Sequence, residues 1–294
     1  MPDALFYGSG TALITPFAGD DIDYGAWERL IEYQIEAGTD ALVVLGSTGE
    51  APTVAFEERK ALVAIAVSIA KGRVPVIVGT SSNCTKMAVS LSQSARTLGA
   101  DAVLVAAPYY NRPTPAGLKA HFDKIANEAG VPVIAYNVPS RTAINITPTV
   151  MAELARHPQV RGLKEASTDA SQIAEVMATL SEGIAIYAGN DSQTISIMAQ
   201  GGRGVISVAG NIAPYEMGAL AHAMLREDYE TARSIYARLA PLIKALSAET
   251  NPGPIKYALS RRGMCEAAMR LPLCDVSEKT KIEVEAALEL PGIG

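Results

Sequence analysis

Cysteine is almost absent from this chain: Cys84, Cys265 and Cys274 are the only three among 294 residues. An odd number without metal-ligand spacing excludes a disulfide framework and suits a reducing cytoplasm. Histidine is equally scarce, at His121, His157 and His222, all in segments that read as helices. A metal-dependent aldolase centre therefore lacks its ligands, and no metal site is expected. Basic residues are outnumbered, 25 Lys+Arg against 31 Asp+Glu for a net charge of -6. No basic stripe is left for a nucleic acid, which is not an expected partner. No uncharged apolar run reaches about 18 residues, so no membrane-spanning helix is predicted. The N-terminus has no basic region followed by an apolar stretch, and a signal peptide is not expected. A GxSxG elbow and a Cys/His pair are also missing, which removes the common acyl-transfer nucleophiles.

What is present is a chain 49% hydrophobic and 19% charged, the balance of a globular protein. At about 300 residues, roughly three quarters of the unfolded surface can be buried without staples. Short, nearly continuous apolar runs occupy residues 10–17, 40–46, 74–81, 101–110, 131–139, 160–167, 184–191 and 203–211. Continuous apolar character, instead of alternation, is the mark of parallel strands covered on both faces. The stretches between them read as helices. One spans 24–37 with Gly38 as its stop. A second spans 53–71, acidic in its first turn and ending at Gly72. Thr114, Thr147 and Asp169 are N-cap candidates, with Pro115 and Pro148 in tolerated first-turn positions. Eight strand–helix units predict a (β/α)8 TIM barrel over residues 1–228. A doubly wound open sheet is the alternative, but the phosphate fingerprint after its first strand is missing. Three further helices, at 229–247, 254–264 and 277–290, have no strand between them and predict a C-terminal helical appendage over 229–294.

In such a barrel the chemistry sits at the C-terminal ends of the strands. Those ends collect Ser47, Thr48 and Glu50; Thr80 and Ser81; Tyr109 and Tyr110; Tyr136, Asn137 and Arg141; Lys164 and Glu165; Asn190 and Asp191; and Asn211. Lys164 is the most informative. It is either a strand-end lysine that snorkels to water, or an imine-forming amine made nucleophilic by desolvation. Strand alternation sends Lys164 and Glu165 to opposite faces, so they need not pair. Tyrosine accounts for 11 of the aromatic residues. Tyr109, Tyr110 and Tyr136 lie where proton transfer is needed, although a buried phenol often only anchors a neighbour. The turn from Gly46 to Glu50 exposes backbone N–H groups suited to a carboxylate, or is an ordinary strand–helix turn. Arg141 is a bidentate clamp for a second carboxylate, or a loop arginine. Gly201 and Gly202 precede the last strand, which weakens a phosphate-site reading.

Together these segments resemble the dihydrodipicolinate synthase family, within the class I pyruvate-dependent aldolases and lyases. The matching motifs are GSTGEAPT from Gly46, PYYNRPT from Pro108, YNVPSRT from Tyr136, GLKEAS from Gly162, AGND from Ala188 and GVISVAGN from Gly204. The lysine and the glycine-glutamate turn are shared with N-acetylneuraminate lyases; the arginine, here Arg141, separates the synthases.

The resemblance implies condensation of pyruvate with L-aspartate 4-semialdehyde to 4-hydroxy-tetrahydrodipicolinate, the entry to diaminopimelate and lysine biosynthesis. It implies Lys164 as the imine-forming amine and Tyr136, Thr48 and Tyr110 as a proton relay, Tyr110 coming from a neighbouring subunit. Ser47 and Thr48 would hold the pyruvate carboxylate through backbone N–H groups, with Ile206 and Gly189 lining the pocket. Arg141 would hold the semialdehyde carboxylate. No organic cofactor is implied, and a homotetramer built as a dimer of dimers is. Ser47 departs from the threonine of many members. At the positions where feedback-inhibited members bind lysine, this chain has Ala51, Pro52, Phe56, Arg59 and Met87, while Asn83 and Tyr109 are retained. Weak or absent inhibition by lysine is therefore expected. Two rivals remain at this stage: a sugar-acid or aromatic-aldehyde lyase of the same superfamily, and a non-catalytic binding protein that keeps the barrel.

Overall fold

The computed structural model describes residues 4–180 and 184–291. Eight parallel strands close into a barrel: β1 (Gly8–Ala12), β2 (Ala41–Val44), β3 (Val76–Gly79), β4 (Ala102–Ala106), β5 (Val133–Asn137), β6 (Val160–Glu165), β7 (Ala185–Ala188) and β8 (Gly204–Ser207). Each pairs with its chain neighbour, and β1 closes the ring against β8 with Gly10 opposite Ile206. The TIM barrel expected from the periodicity is the fold. Among the described residues the helices are α1 (Tyr24–Glu36), α2 (Phe56–Ala70), α3 (Thr85–Thr97), α4 (Pro115–Glu128), α5 (Pro139–Thr142), α6 (Pro148–Leu154), α7 (Ala170–Leu180), α8 (Thr194–Met198), α9 (Pro214–Leu225), α10 (Tyr229–Leu246), α11 (Gly253–Arg261) and α12 (Glu278–Leu288).

Strand alternation divides the core in two. One set of side chains packs against the helices, and the other fills the barrel interior with Ile77, Leu104, Ile134, Tyr136, Tyr187 and Ile206. Phe6 closes the N-terminal end by stacking on Tyr187 at 4.3 Å between ring centroids. The Tyr187 hydroxyl donates to the Phe6 carbonyl at 3.0 Å, which satisfies the one polar atom of that plug.

The helix signals read from sequence have physical counterparts. Thr114 accepts from the Gly117 N–H and Thr147 from the Val150 N–H, while Asp169 Oδ1 accepts from the N–H groups of Ser171 and Gln172. Gly38 and Gly72 take left-handed φ angles of +83° and +73° just past their helices.

Several placements differ from expectation. The first strand begins at Gly8 and stops at Ala12: the Leu13 N–H still donates to the Val43 carbonyl of β2, but Ile14 donates instead to Asn211 Oδ1 at 3.1 Å. The second helix starts at Phe56, not at residue 53, since Ala51–Thr53 close a separate 3-10 turn. Glu58 then reaches back to the Ala55 N–H at 2.7 Å and fixes the start. His157 lies in the turn after α6, not on a helix.

Candidate active site

Lys164 stands in β6 in register with Tyr136 of β5 and Tyr187 of β7. Its neighbour Glu165 points the other way, accepting from the Ser167 N–H at 2.6 Å and from the Asn137 amide at 3.1 Å. The two are not partners, as alternation predicts. Lys164 is only 5% exposed, so the snorkelling reading fails. Its ammonium lies 4.6 Å from the centroid of the Tyr136 ring. Burial is the main cause that lowers its pKa to about 8; Asp191 opposes the shift and Arg141 adds to it. An amine in that range supplies a usable neutral fraction near pH 7. Burial likewise pushes the Tyr136 phenol up to about 12, against the pull of Arg141 and a hydrogen bond with the Ser47 side chain. A phenol held protonated is a proton donor at neutral pH.

The turn from Gly46 to Glu50 follows β2. Leu45 and Glu50 bracket it with φ of 57° and 50°, a left-handed conformation that side chains rarely adopt. Gly79 allows the turn to lie close: a Cβ there would sit 2.1 Å from the Leu45 carbonyl oxygen. Among the described residues, the Ser47 and Thr48 N–H groups donate to no other group, whereas those of Gly49 and Glu50 are used within the turn. Two unused N–H donors in series suit a small carboxylate. Ile206 is fully buried in the barrel interior. Gly189 lies where a Cβ would meet the Ala166 side chain at 2.7 Å, and its N–H donates to the Glu165 carbonyl at 2.7 Å.

A cavity of about 730 Å³ opens over this end of the barrel. Its lining includes Tyr136, Ser47, Arg141 and Asn251 together with Phe56, Arg59, Met87 and Tyr109. Tyr110 is 89% exposed, at a left-handed φ of 71°. The remaining strand-end residues tie loops together. Thr80 bonds Ser92, Ser81 accepts from the Ala106 N–H, and Asn211 bridges Ile14 and Ala12.

Two contributors escaped the reading of strand ends, and a third was noted there without a role. Asn251 donates through Nδ2 to Thr48 Oγ1 at 2.9 Å, and its carbonyl accepts from Arg141 Nη2 at 3.0 Å. One residue of the C-terminal segment thus touches both the expected relay hydroxyl and the expected clamp. Asp191, noted at a strand end but given no role, is held by the N–H groups of Val208 and Ala209 at 3.1 and 2.9 Å. Its charge faces Lys164. Lys256 pairs with Glu50, both fully buried. The signal in the sequence was slight: an Asn-Pro pair followed by one lysine in the apolar stretch GPIKYAL.

Barrel, desolvated lysine, adjacent phenol and carboxylate-sized N–H turn define an imine-forming lyase of the class I aldolase type. Comparison with known proteins narrows this. Residues 5–290 match the Dihydrodipicolinate synthetase family, and the chain belongs to it. It is 43% identical over 289 residues to the 4-hydroxy-tetrahydrodipicolinate synthase of Thermodesulfovibrio yellowstonii, covering 98% of this chain and 99% of that one. The enzyme of that name from Methanocaldococcus jannaschii is also 43% identical, over 290 residues, 98% of this chain and 100% of its own. Among solved structures, the dihydrodipicolinate synthase of Aquifex aeolicus superposes with a TM-score of 0.94 at 43% identity, covering 97% of each chain.

Proposed function

We propose that the protein condenses pyruvate with L-aspartate 4-semialdehyde through an imine on Lys164, giving 4-hydroxy-tetrahydrodipicolinate. The observation that carries this reading is the buried Lys164 amine against the Tyr136 ring, whose hydroxyl in turn meets Ser47 of a turn with two N–H donors unused among the described residues. The names of the relatives support the choice of substrates. The neutral Lys164 amine attacks the keto carbon of pyruvate, whose carboxylate rests on the Ser47 and Thr48 N–H groups. Tyr136 protonates the departing hydroxyl, and water leaves as the imine forms. Loss of a methyl proton gives the enamine, whose carbon attacks the aldehyde of the second substrate. The amino group of that substrate then adds to the imine carbon, closes the ring and expels the Lys164 amine. Arg141 holds the second carboxylate, Ile206 and Gly189 shape the pocket wall, and Thr48 passes protons between Tyr136 and a Tyr110 from a neighbouring subunit. The exposure of the Tyr110 side chain supports that last assignment and an oligomer, read as a homotetramer. Three free cysteines, and no helix among the described residues long and apolar enough to cross a membrane, support a cytoplasmic place. The division into a barrel of 1–228 and an appendage of 229–294 is likewise a proposal. It describes topology, since the Asn251 and Lys256 contacts knit the two parts.

The test is reduction with borohydride in the presence of pyruvate. The Lys164 peptide is expected to gain about 72 Da, and Lys164→Ala to gain nothing while keeping its fold. A folded wild-type protein that gains no mass, or gains it elsewhere, rules the mechanism out.

A further inference from the structure

The turn that carries Ser47 and Thr48 does not hold its shape alone. Both of its flanks, Leu45 and Glu50, sit at left-handed φ, which neighbouring structure must impose. From the C-terminal side that structure is the segment around Lys256. Glu50 and Lys256 have fully buried side chains and form a direct ion pair. The ammonium also donates to the Ala268 carbonyl at 2.7 Å and lies 4.1 Å from the centroid of the Phe17 ring. The second oxygen of Glu50, Oε2, accepts from the Arg270 N–H at 3.2 Å. Arg270 is anchored in turn, its guanidinium bonding both oxygens of Glu58 at 2.6 and 2.7 Å and the Thr53 carbonyl at 2.9 Å. One carboxylate oxygen of Glu50 therefore lies in ion-pair contact with Lys256 while the other accepts from the Arg270 N–H. That pins the orientation of the side chain as well as its position.

A buried pair of this kind adds little net stability compared with two apolar side chains of the same volume, because both charges must be desolvated. Burial is the largest cause that lowers the pKa of Lys256; Glu50 opposes the shift and the Arg270 charge adds to it. Directionality is what an ion pair supplies and a methionine pair does not. We propose that Glu50 and Lys256 are positioning residues for pyruvate: they hold the turn so that the Ser47 and Thr48 N–H groups converge on its carboxylate. The proposal rests on the assignment of that turn to pyruvate.

The experiment compares wild type with Glu50→Gln, Lys256→Met and the double variant Glu50→Met/Lys256→Met. Each is followed by thermal melting and by the pyruvate concentration giving half-maximal borohydride trapping. Lys256→Met alone leaves a buried carboxylate unpaired and is expected to melt early. The double variant removes both charges and is expected to melt near wild type. Its half-maximal pyruvate concentration should nevertheless rise on the order of tenfold or more, with KM for the semialdehyde changed far less. Glu50→Gln, which keeps an acceptor for the Arg270 N–H, should fold and fall between the two. Wild-type pyruvate dependence in either folded variant overturns the proposal and leaves the pair a structural one. Absence of a Lys164 adduct in the wild-type protein itself would instead sink the assignment of the turn, and the proposal with it.

Discussion

Lys164 shows how one side chain turns a packing cost into reactivity. Its pKa falls from the ordinary 10.5 to about 8, burial being the largest cause. A depressed value means that the folded state carries the full penalty of a buried charge at every pH below 8. Between 8 and 10.5 the unfolded chain binds a proton that the folded chain has lost, so stability rises with pH across that window. Two outcomes are expected. The rate of adduct formation at low pyruvate should climb about tenfold per pH unit towards pH 8 and then level off. Lys164→Met should be inactive yet more stable at pH 7, by up to about 3 kcal/mol at 1.36 kcal/mol per unit of pKa. The lost cation–π contact with Tyr136 reduces that gain. A variant less stable than wild type in urea at pH 7 would contradict the argument. The importance of Lys164 was legible from the sequence because a lysine in a two-sided apolar strand is anomalous. Its burial depends on seven other strands.

At the scale of elements, α3 and α4 pack through a histidine that the chemistry does not use. His121 is 5% exposed, and its Nδ1 lies 2.9 Å from the Thr85 hydroxyl. Burial brings its pKa down from 6.5 to about 4. This group is neutral in the folded state, and the unfolded chain takes up a proton first as pH falls. Its contribution is complete above pH 6.5 and is lost progressively as pH drops towards 4, by up to about 3 kcal/mol. His121→Leu should flatten that part of the stability–pH curve. Urea midpoints measured from pH 7 to pH 4.5 check this, and parallel curves for the two proteins would refute it. The caps at Thr114, Thr147 and Asp169 were readable because a cap is a local arrangement of three or four residues. The start of α2 was misread because Glu58, not Thr53, satisfies the first free N–H.

At the scale of the whole molecule, the expectation of weak inhibition by lysine rests on Phe56, Arg59 and Met87, which line the cavity. Arg59 directs its guanidinium to the carbonyls of Val54 and Ala51, and Met87 and Phe56 are 51% and 45% exposed. The Arg59 cation repels the ammonium groups of lysine, Met87 offers them no acceptor, and the Phe56 ring already holds the Lys60 ammonium at 4.6 Å from its centroid. Activity titrated with L-lysine is expected to stay near its starting value into the millimolar range; strong inhibition at sub-millimolar lysine would disprove it.

The sequence by itself determined the eight parallel strands, most of the helices and the anomaly of a lysine at Lys164, which follow from local periodicity and from residue types out of place in it; the role given to Lys164 came from the family resemblance. Only the tertiary structure decided that Asn251 bonds a hydroxyl 203 residues away, that Lys256 is buried against Glu50, and that Lys164 is dry enough to lose its proton easily. The physical reason is that hydrogen-bond partners and desolvation are properties of the closed barrel with its C-terminal helices docked. Chain periodicity records which way a side chain faces, and not what it will meet there.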